Sequence, residues 1–278
     1  CKTITEEVNE NDMIVLDGEA GIVILNPSEE EIKEYQVKRE AFIAYKEELK
    51  KLNPDFFVTF AFGQILSQDV LDIPKYETIN LHASLLPKYR GANPIQRAII
   101  NGEKETGICT MITELGLDCG DVCLKEVIPI SDNMTCVDLF EQISDKSPEL
   151  IEKTLTGFVE NTIKPQKQCE DGVCMANKLT KEETLIDWSK PAEEIHNLVR
   201  GIYKFPSAYF KYNDKAVKVL ETRVVEGSAP CGEFVRASKE GVIVGCAKDC
   251  ILLVKVKPEG KGEMSAKDWA NGQRVIAK

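Results

Sequence analysis

The chain has 278 residues, of which 43% are hydrophobic and 29% are charged, and these fractions exclude wholesale disorder. Its formal net charge is −11, but residues 1–177 carry −15 and residues 178–278 carry +4. This division argues against nucleic-acid binding over the whole surface and allows one nucleic-acid-facing module at the C-terminus. No apolar run approaches the ~20 residues that cross a bilayer, and no secretory leader is visible, so we expect a cytoplasmic protein.

The spacing of the ten cysteines bears on metal ions and disulfides. The closest pairs are Cys119/Cys123, Cys169/Cys174 and Cys246/Cys250; none is a CxxC pair, and no histidine lies near them. Zinc sites usually combine CxxC pairs with one another or with histidines, and this chain has no CxxC pair, so no metal is expected. Disulfide frameworks are typical of small secreted domains, so we expect reduced thiols.

The N-terminal fifty residues predict a hairpin followed by a long helix. Two apolar runs, Met13–Leu16 and Ile22–Leu25, flank a polar loop with two glycines, which is typical of a β-hairpin. Ser28 and Glu31 have the spacing of a capping box. A charged helix is therefore predicted over 29–52.

From residue 54 onward, short apolar runs alternate with helical segments. The predicted strands are Phe56–Phe60, Thr78–His82, Gly107–Ile112 and Val122–Ile130. Helices are predicted over Pro94–Asn101 and Asn133–Thr154, and a short helix or turn over Gln64–Val70. This alternation predicts an α/β sheet with parallel strand pairs.

The last hundred residues have a different pattern. Residues 161–177 are polar without periodicity and are interpreted as a linker, and a helix is predicted over Trp188–Tyr203. Five short strands separated by turn residues follow: Ser207–Tyr212, Ala216–Val225, Cys231–Ala237, Gly241–Gly245 and Ile251–Lys257. Such a series predicts a small closed β-barrel.

The clearest chemical pattern lies at the end of the second predicted α/β strand. Side chains alternate along a strand, so Asn80 and His82 share one face and leave Ile79 and Leu81 on the other. Open α/β sheets bind ligands at the carboxyl ends of their strands. An amide and an imidazole at that end therefore form a candidate site. The second histidine, His196, lies in a predicted helix and is given a structural or surface role.

A glycine-rich acidic loop, Leu115–Asp121, lies between the third and fourth predicted strands. Asp118 and Asp121 in this loop could supply a catalytic acid or base, or hold a cation. A solvated turn in which an aspartate caps the backbone explains the same pattern. The residue types alone leave these alternatives open.

Several separated motifs together resemble one family. INLHASLLPKYRGANPIQRAI, followed by GLDCGD, resembles the formyltransferase domain that uses 10-formyltetrahydrofolate. Three further segments resemble the methionyl-tRNA formyltransferase family in particular: FFVTFAFGQIL, KLTKEETLIDWSKPAEEIHNLVRGIYKFPSAY and KPEGKGEMSAKDWANGQRV. The resemblance covers about residues 51–278.

This resemblance implies roles for individual residues. Asn80, His82 and Asp118 match the family's catalytic trio, which transfers a formyl group from 10-formyltetrahydrofolate to the amino group of methionyl-initiator-tRNA. The family's folate-contacting loop corresponds to Ser84, Leu85, Leu86 and Pro87. The family needs no metal, and its C-terminal β-barrel contacts the tRNA. We expect a monomer.

The N-terminal segment departs from this family. Residues 1–50 resemble the end of the swivelling phosphohistidine domain of the phosphoenolpyruvate–protein phosphotransferase, without its active histidine. We therefore expect three parts: the hairpin and helix over 1–52, a Rossmann-like formyltransferase domain over 53–172 that lacks its first strands, and an OB-like barrel over 173–278. The alternatives are an inactive chimeric fragment that still binds tRNA, and a related formyltetrahydrofolate-using hydrolase or transferase with another acceptor.

Overall fold

The computed structural model describes residues 8–17 and 21–273. Within these ranges the chain forms an N-terminal hairpin and helix, a four-stranded sheet flanked by helices, and a second sheet in the C-terminal half. No helix in these ranges is both long and apolar enough to span a membrane.

The N-terminal hairpin and helix form as predicted. β1 (Ile14–Asp17) pairs antiparallel with β2 (Ile22–Leu25), whereas loop residues 18–20 and the first seven residues lie outside the described residues. Helix α1 (Glu29–Lys51) begins at the predicted capping box, in which the Ser28 hydroxyl and the Glu31 carboxylate each accept a backbone N–H of the other residue. No residue of α1 is buried, so local capping rather than packing defines this helix.

The four-stranded sheet is mixed. Its order is β3 (Phe56–Phe60), β4 (Glu77–His82), β5 (Glu105–Ile112), β6 (Val122–Pro129). Only β3 and β4 are parallel, and the other two pairs are antiparallel. The prediction of parallel pairs is therefore right for one pair only. The loop 113–121 explains the β5/β6 pair, because a parallel connection needs a crossover of a dozen or more residues.

Three helices accompany this sheet: α2 (Gln68–Leu71), α3 (Pro94–Ile100) and α4 (Cys136–Val159). Helix α4 buries Leu139 and Ile143 completely in the core. Its Phe140 and Phe158 meet Phe60 and Phe56 at the two ends of β3, with ring centroids 6.4 and 6.0 Å apart. The N-terminal end of α4 therefore lies at the carboxyl end of β3.

The C-terminal half is built on helix α5 (Ala192–Gly201), an antiparallel sheet and helix α6 (Ala266–Gln273). The strands are β7 (Tyr209–Tyr212), β8 (Lys215–Val225), β9 (Phe234–Ala237), β10 (Val242–Gly245), β11 (Cys250–Pro258) and β12 (Met264–Ser265). Their order is β7-β8-β11-β10-β9, with β12 added to β11.

The predicted closed barrel is wrong, because the strand order leaves β7 and β9 as the two ends of the path and no β7–β9 ladder forms within the described residues. The sheet nevertheless curls. Phe210 of β7 and Phe234 of β9 have ring centroids 5.8 Å apart, and both rings pack on Trp269 of α6. Aromatic packing therefore joins the two ends of a half-barrel where a closed barrel would have backbone hydrogen bonds.

The junction between the two sheets is held by α5. His196 is bonded through Nδ1 to the Thr222 hydroxyl at 2.8 Å and through Nε2 to the Asp132 carbonyl at 3.0 Å. Arg200, one turn further along α5, donates to two carbonyls of the same loop before α4. His196 is thus a buried structural residue, as one of the two expected roles stated.

Candidate active site

A cleft of about 550 Å³ lies at the carboxyl ends of β3 and β4. Asn80, His82 and Asp118 all line it, so the structure brings together the three residues singled out in the sequence. The remaining walls are largely apolar and include Phe60, Phe62, Ile65, Leu115 and Leu117. Polar groups that converge in an apolar cleft are typical of a small-molecule site.

Asn80 is oriented by a residue that the sequence analysis did not single out. Thr59 lies directly opposite Asn80 in the parallel β3/β4 ladder, and its hydroxyl is 3.1 Å from Asn80 Oδ1. The hydroxyl donates to this oxygen, so the amide nitrogen of Asn80 is left as a donor on the cleft wall. The amide nitrogen has no protein hydrogen-bond partner in the described part of the chain.

His82 is buried, with 6% of its surface exposed. Its Nε2 is 2.9 Å from the carbonyl oxygen of Tyr89, which can only accept, so Nε2 carries a proton. Nδ1 faces the Asp118 carboxylate, with 3.7 Å between Nδ1 and Oδ2. This distance is too long for a direct hydrogen bond and leaves Nδ1 available to a group in the cleft.

The Asp118 carboxylate is anchored across the cleft. Its Oδ2 accepts the backbone N–H of Gly91 at 2.8 Å. Gly91 itself has φ +120°, and a Cβ there would come within 2.9 Å of the Ala176 carbonyl oxygen. Only glycine therefore suits this position, and its N–H fixes the carboxylate beside His82.

Residues 161–177 are not the linker that was predicted. Gln166 pairs with Val122 of β6, and Met175 forms a bridge with Arg90. Gln168 is buried beneath the Asp118 loop. Isolated backbone bridges and the buried Gln168 amide hold this segment, rather than a regular strand or helix. Its sequence therefore shows neither strand nor helix periodicity.

The expected folate-contacting loop lies outside the cleft. Ser84 is fully buried and its hydroxyl donates to the Lys88 carbonyl, and Leu86 is 1% exposed. Leu85 and Pro87 line a separate cavity of about 320 Å³. The structure places Leu85 and Pro87 at a different cavity from the catalytic trio, and the contact of these side chains with folate stays a prediction.

The cation-site interpretation of the acidic loop finds no support. The described residues contain no group of three or more His, Cys, Asp or Glu side chains placed to hold a metal ion. Asp118 instead caps a backbone N–H 27 residues away. The nine cysteines within the described ranges are free thiols, and burial raises the pKa of the Cys109 thiol to about 11.

Comparison with known proteins identifies the class. The family model described as "Formyl transferase" matches residues 14–155, and "Formyl transferase, C-terminal domain" matches residues 178–274. These matches define a formyltransferase. The first match begins at residue 14 and so includes the hairpin and α1; their resemblance to a phosphotransferase stays a prediction.

The particular family follows from a curated relative. The methionyl-tRNA formyltransferase of Clostridium perfringens is 45% identical over 231 residues, which cover 82% of this chain and 75% of that protein. The chain therefore belongs to the methionyl-tRNA formyltransferase family.

Solved structures share the fold. A methionyl-tRNA formyltransferase from Clostridium thermocellum superimposes with a TM-score of 0.54 at 18% identity, over 78% of this chain and 82% of that chain. HypX from Aquifex aeolicus, solved in complex with tetrahydrofolic acid, has a TM-score of 0.62 at 20% identity, over 81% of this chain and 40% of that chain. At such identities the likeness concerns the fold alone.

Proposed function

We propose that this chain transfers the formyl group of 10-formyltetrahydrofolate to the α-amino group of methionine on initiator tRNA. The observation that carries the proposal is the convergence of Asn80, His82 and Asp118 on one cleft. The family of the chain supports the acceptor, since its curated relatives are methionyl-tRNA formyltransferases. The complex of HypX with tetrahydrofolic acid supports the donor class.

The walls of the cleft suit a flat, largely apolar donor. Phe62, Ile65 and Leu117 line it and are 50%, 75% and 59% exposed. Apolar side chains clustered around an open cleft commonly mark a ligand-binding surface. A pterin ring between these walls would cover them and direct its formyl-bearing arm toward the polar trio.

The transfer needs a neutral amine and a stabilised oxyanion. The amine nitrogen attacks the formyl carbon, and the carbonyl electron pair moves to oxygen. The Asn80 amide nitrogen donates to that oxygen, a contribution of about 3–4 kcal/mol per donor in comparable oxyanion holes. When the oxyanion collapses, the bond from carbon to N10 breaks, N10 gains one proton, and the amine has lost one. The products are tetrahydrofolate and a formamide.

His82 and Asp118 manage charge and protons in this scheme. Nε2 is already bound to the Tyr89 carbonyl, so Nδ1 can donate to the oxyanion only from a protonated ring. The Asp118 carboxylate lies beside this nitrogen, with 3.7 Å between Oδ2 and Nδ1. The carboxylate also lies within reach, directly or through water, of the proton that leaves the amine.

We assign tRNA binding to the C-terminal half. Residues 178–278 carry a net charge of +4, whereas the rest of the chain is strongly acidic, and phosphate backbones select basic surfaces. Lys178, the first residue of that half, lines the cleft and so connects the basic surface to the reacting groups. We further propose that the protein acts as a cytoplasmic monomer.

The N-terminal hairpin and α1 take no part in the proposed chemistry. No residue within 8–17 or 21–51 lines the cleft, and α1 has no buried residue. Lys46 of α1 forms an ion pair with the exposed Asp69 of α2, with 2.6 Å between Nζ and Oδ2. We propose that this segment has the separate, phosphotransferase-like origin suggested by its sequence.

The direct test measures formylated methionyl-tRNA formed from 10-formyltetrahydrofolate. The wild-type chain should produce it, His82→Ala should lose about 100- to 10,000-fold in rate, and the control His196→Gln should keep the wild-type rate per folded molecule. Equal rates for wild type and His82→Ala would remove the catalytic assignment. Formate release without transfer would indicate a hydrolase, and tRNA binding without turnover would indicate an inactive fragment.

A further inference from the structure

Gln168 is a buried amide that the proposed chemistry does not use. It is 8% exposed, and both ends of its side chain are bonded. Its Nε2 donates to the carbonyl oxygens of Asp118 and Gly120, at 2.9 and 2.8 Å. Its Oε1 accepts from Nε and Nη2 of Arg90, at 3.1 and 2.8 Å.

Arg90 locks this amide in one orientation. A guanidinium can only donate, so the amide oxygen must face Arg90 and the amide nitrogen must face the two carbonyls. Arg90 is itself 9% exposed, and its guanidinium donates two hydrogen bonds to the Gln168 amide oxygen. The side-chain hydrogen bonds of this buried cation go to a neutral amide, so the contact fixes geometry rather than pairing two charges.

The backbone that Gln168 holds is constrained. Asp118 has φ +48°, a left-handed conformation that an aspartate adopts only at some cost. A Cβ at Gly120 would clash with the carbonyl oxygen of Ile112, so the loop passes very close to β5. Conformations of this kind persist where the surrounding structure overdetermines them.

We propose that Gln168 is a positioning residue for the carboxylate of Asp118, with Arg90 as its support. The amide fixes the main chain on both sides of Cys119, and this keeps Asp118 Oδ2 at the Gly91 N–H and beside His82 Nδ1. Gln168 contacts neither the cleft nor a reacting atom. The inference rests on the proposed function insofar as Asp118 is catalytic.

The kinetic test compares three single variants. Gln168→Leu removes both sets of bonds, and Gln168→Glu can still accept from Arg90 but has no N–H for the two carbonyls. Both should lower kcat about 10- to 100-fold and change KM less than about threefold, because misplacement acts on the reaction step. The matched control Gln166→Leu, an exposed glutamine of the same segment, should leave kcat unchanged. A wild-type kcat in Gln168→Leu would overturn the proposal.

A double-mutant cycle separates positioning from general structural damage. In an Asp118→Asn background, Gln168→Leu should cost less than about threefold in kcat, because the carboxylate it serves is already gone. The same fold-loss in both backgrounds would show that Gln168 acts elsewhere and would overturn the proposal.

The two histidines supply a readout that needs no turnover. In ¹⁵N spectra of the imidazole rings, Gln168→Leu should shift the His82 signals, since Nδ1 loses its carboxylate neighbour, and should leave the His196 signals in place. Unchanged His82 signals, or equal shifts of both rings, would overturn the inference. If the wild-type chain did not transfer formyl groups but Gln168→Leu still shifted only the His82 signals, the proposed function would be refuted and the positioning role would stand.

Discussion

The two histidines of the chain mark two contrasting regions, the carboxyl end of β4 and the junction at α5. Both rings are buried, His82 at 6% and His196 at 9% exposure. At the junction both ring nitrogens of His196 are bonded, at 2.8 and 3.0 Å. At β4, one nitrogen of His82 is bonded to a carbonyl, and the other faces a carboxylate at 3.7 Å in an open cleft.

Burial alone therefore does not separate the proposed catalytic histidine, His82, from the structural one, His196. The informative feature is a ring nitrogen whose hydrogen-bonding capacity is not taken up by the protein and which faces a ligand-sized space. Substitutions at the carboxyl end of β4 should therefore change the reaction rate, and substitutions at the α5 junction should change the free energy of unfolding.

After His82→Ala, the largest effect is expected for Asn80→Ala in the cleft. This change removes the proposed oxyanion donor and should lower kcat about 100- to 1,000-fold with little change in the free energy of unfolding. Thr59→Val, which frees the amide to rotate, should cost less, on the order of 10-fold. Steady-state formylation assays measure both. A loss below threefold for Asn80→Ala would break the assignment of the cleft.

At the junction, His196→Ala should lower the free energy of unfolding by about 2–3 kcal/mol. The change leaves a small cavity and removes the partners of the Thr222 hydroxyl and the Asp132 carbonyl. Denaturant titration measures the loss, and the formylation rate per folded molecule serves as the control. Wild-type stability with a reduced formylation rate in His196→Ala would show that His196 acts in the reaction rather than in the fold.

The junction should also make stability depend on pH. Burial lowers the pKa of His196 below its usual 6.5, with the nearby Arg200 charge acting in the same direction. Below pH 6.5 the unfolded chain binds a proton that the folded chain resists, so stability falls as the pH falls through this range. One proton changes the free energy of unfolding by at most about 1.4 kcal/mol per pH unit.

Comparison of wild type with His196→Gln isolates the contribution of His196 to the pH dependence of stability, because the two chains share every other titrating group. Denaturant titrations between pH 7.5 and 5 should show a steeper loss for the wild type. Parallel pH profiles would mean that the ring at the junction titrates as it does in the unfolded chain.

The smallest effect is expected for Thr222→Val. This change removes one hydrogen bond to Nδ1 of His196 and should lower the free energy of unfolding by about 1 kcal/mol. Thermal denaturation measures it, and the double variant with His196→Ala should show less than the sum of the two losses. Full additivity would contradict a direct contact.

The sequence was most informative where structure is local. The capping box at Ser28 and Glu31 placed the start of α1 correctly, because its bonds involve neighbouring residues only. The same local signals say nothing about packing. Val37 and Tyr45 of α1 remain 66% and 53% exposed, whereas α4, of nearly equal length, buries its apolar stripe against the sheet.

Long-range pairing was the main source of error. Strand positions were predicted well, but alternating strands and helices did not reveal that β5 and β6 run antiparallel. The closed barrel failed for the same reason, since ring packing of Phe210 and Phe234 through Trp269 depends on residues far apart in the chain. Of the candidate site, the trio was predicted, but Thr59, Gly91 and Gln168 carry no motif of their own.

The buried amide at position 168 has a consequence for the order in which this site assembles. Its partners lie 78, 50 and 48 residues earlier in the chain, so these bonds close long loops whose entropy must be overcome before they form. A nascent chain that has emerged only as far as β6 already contains Asn80, His82 and Asp118. With Gln168 as the proposed positioning residue, their final arrangement waits for a segment that follows α4 in the chain.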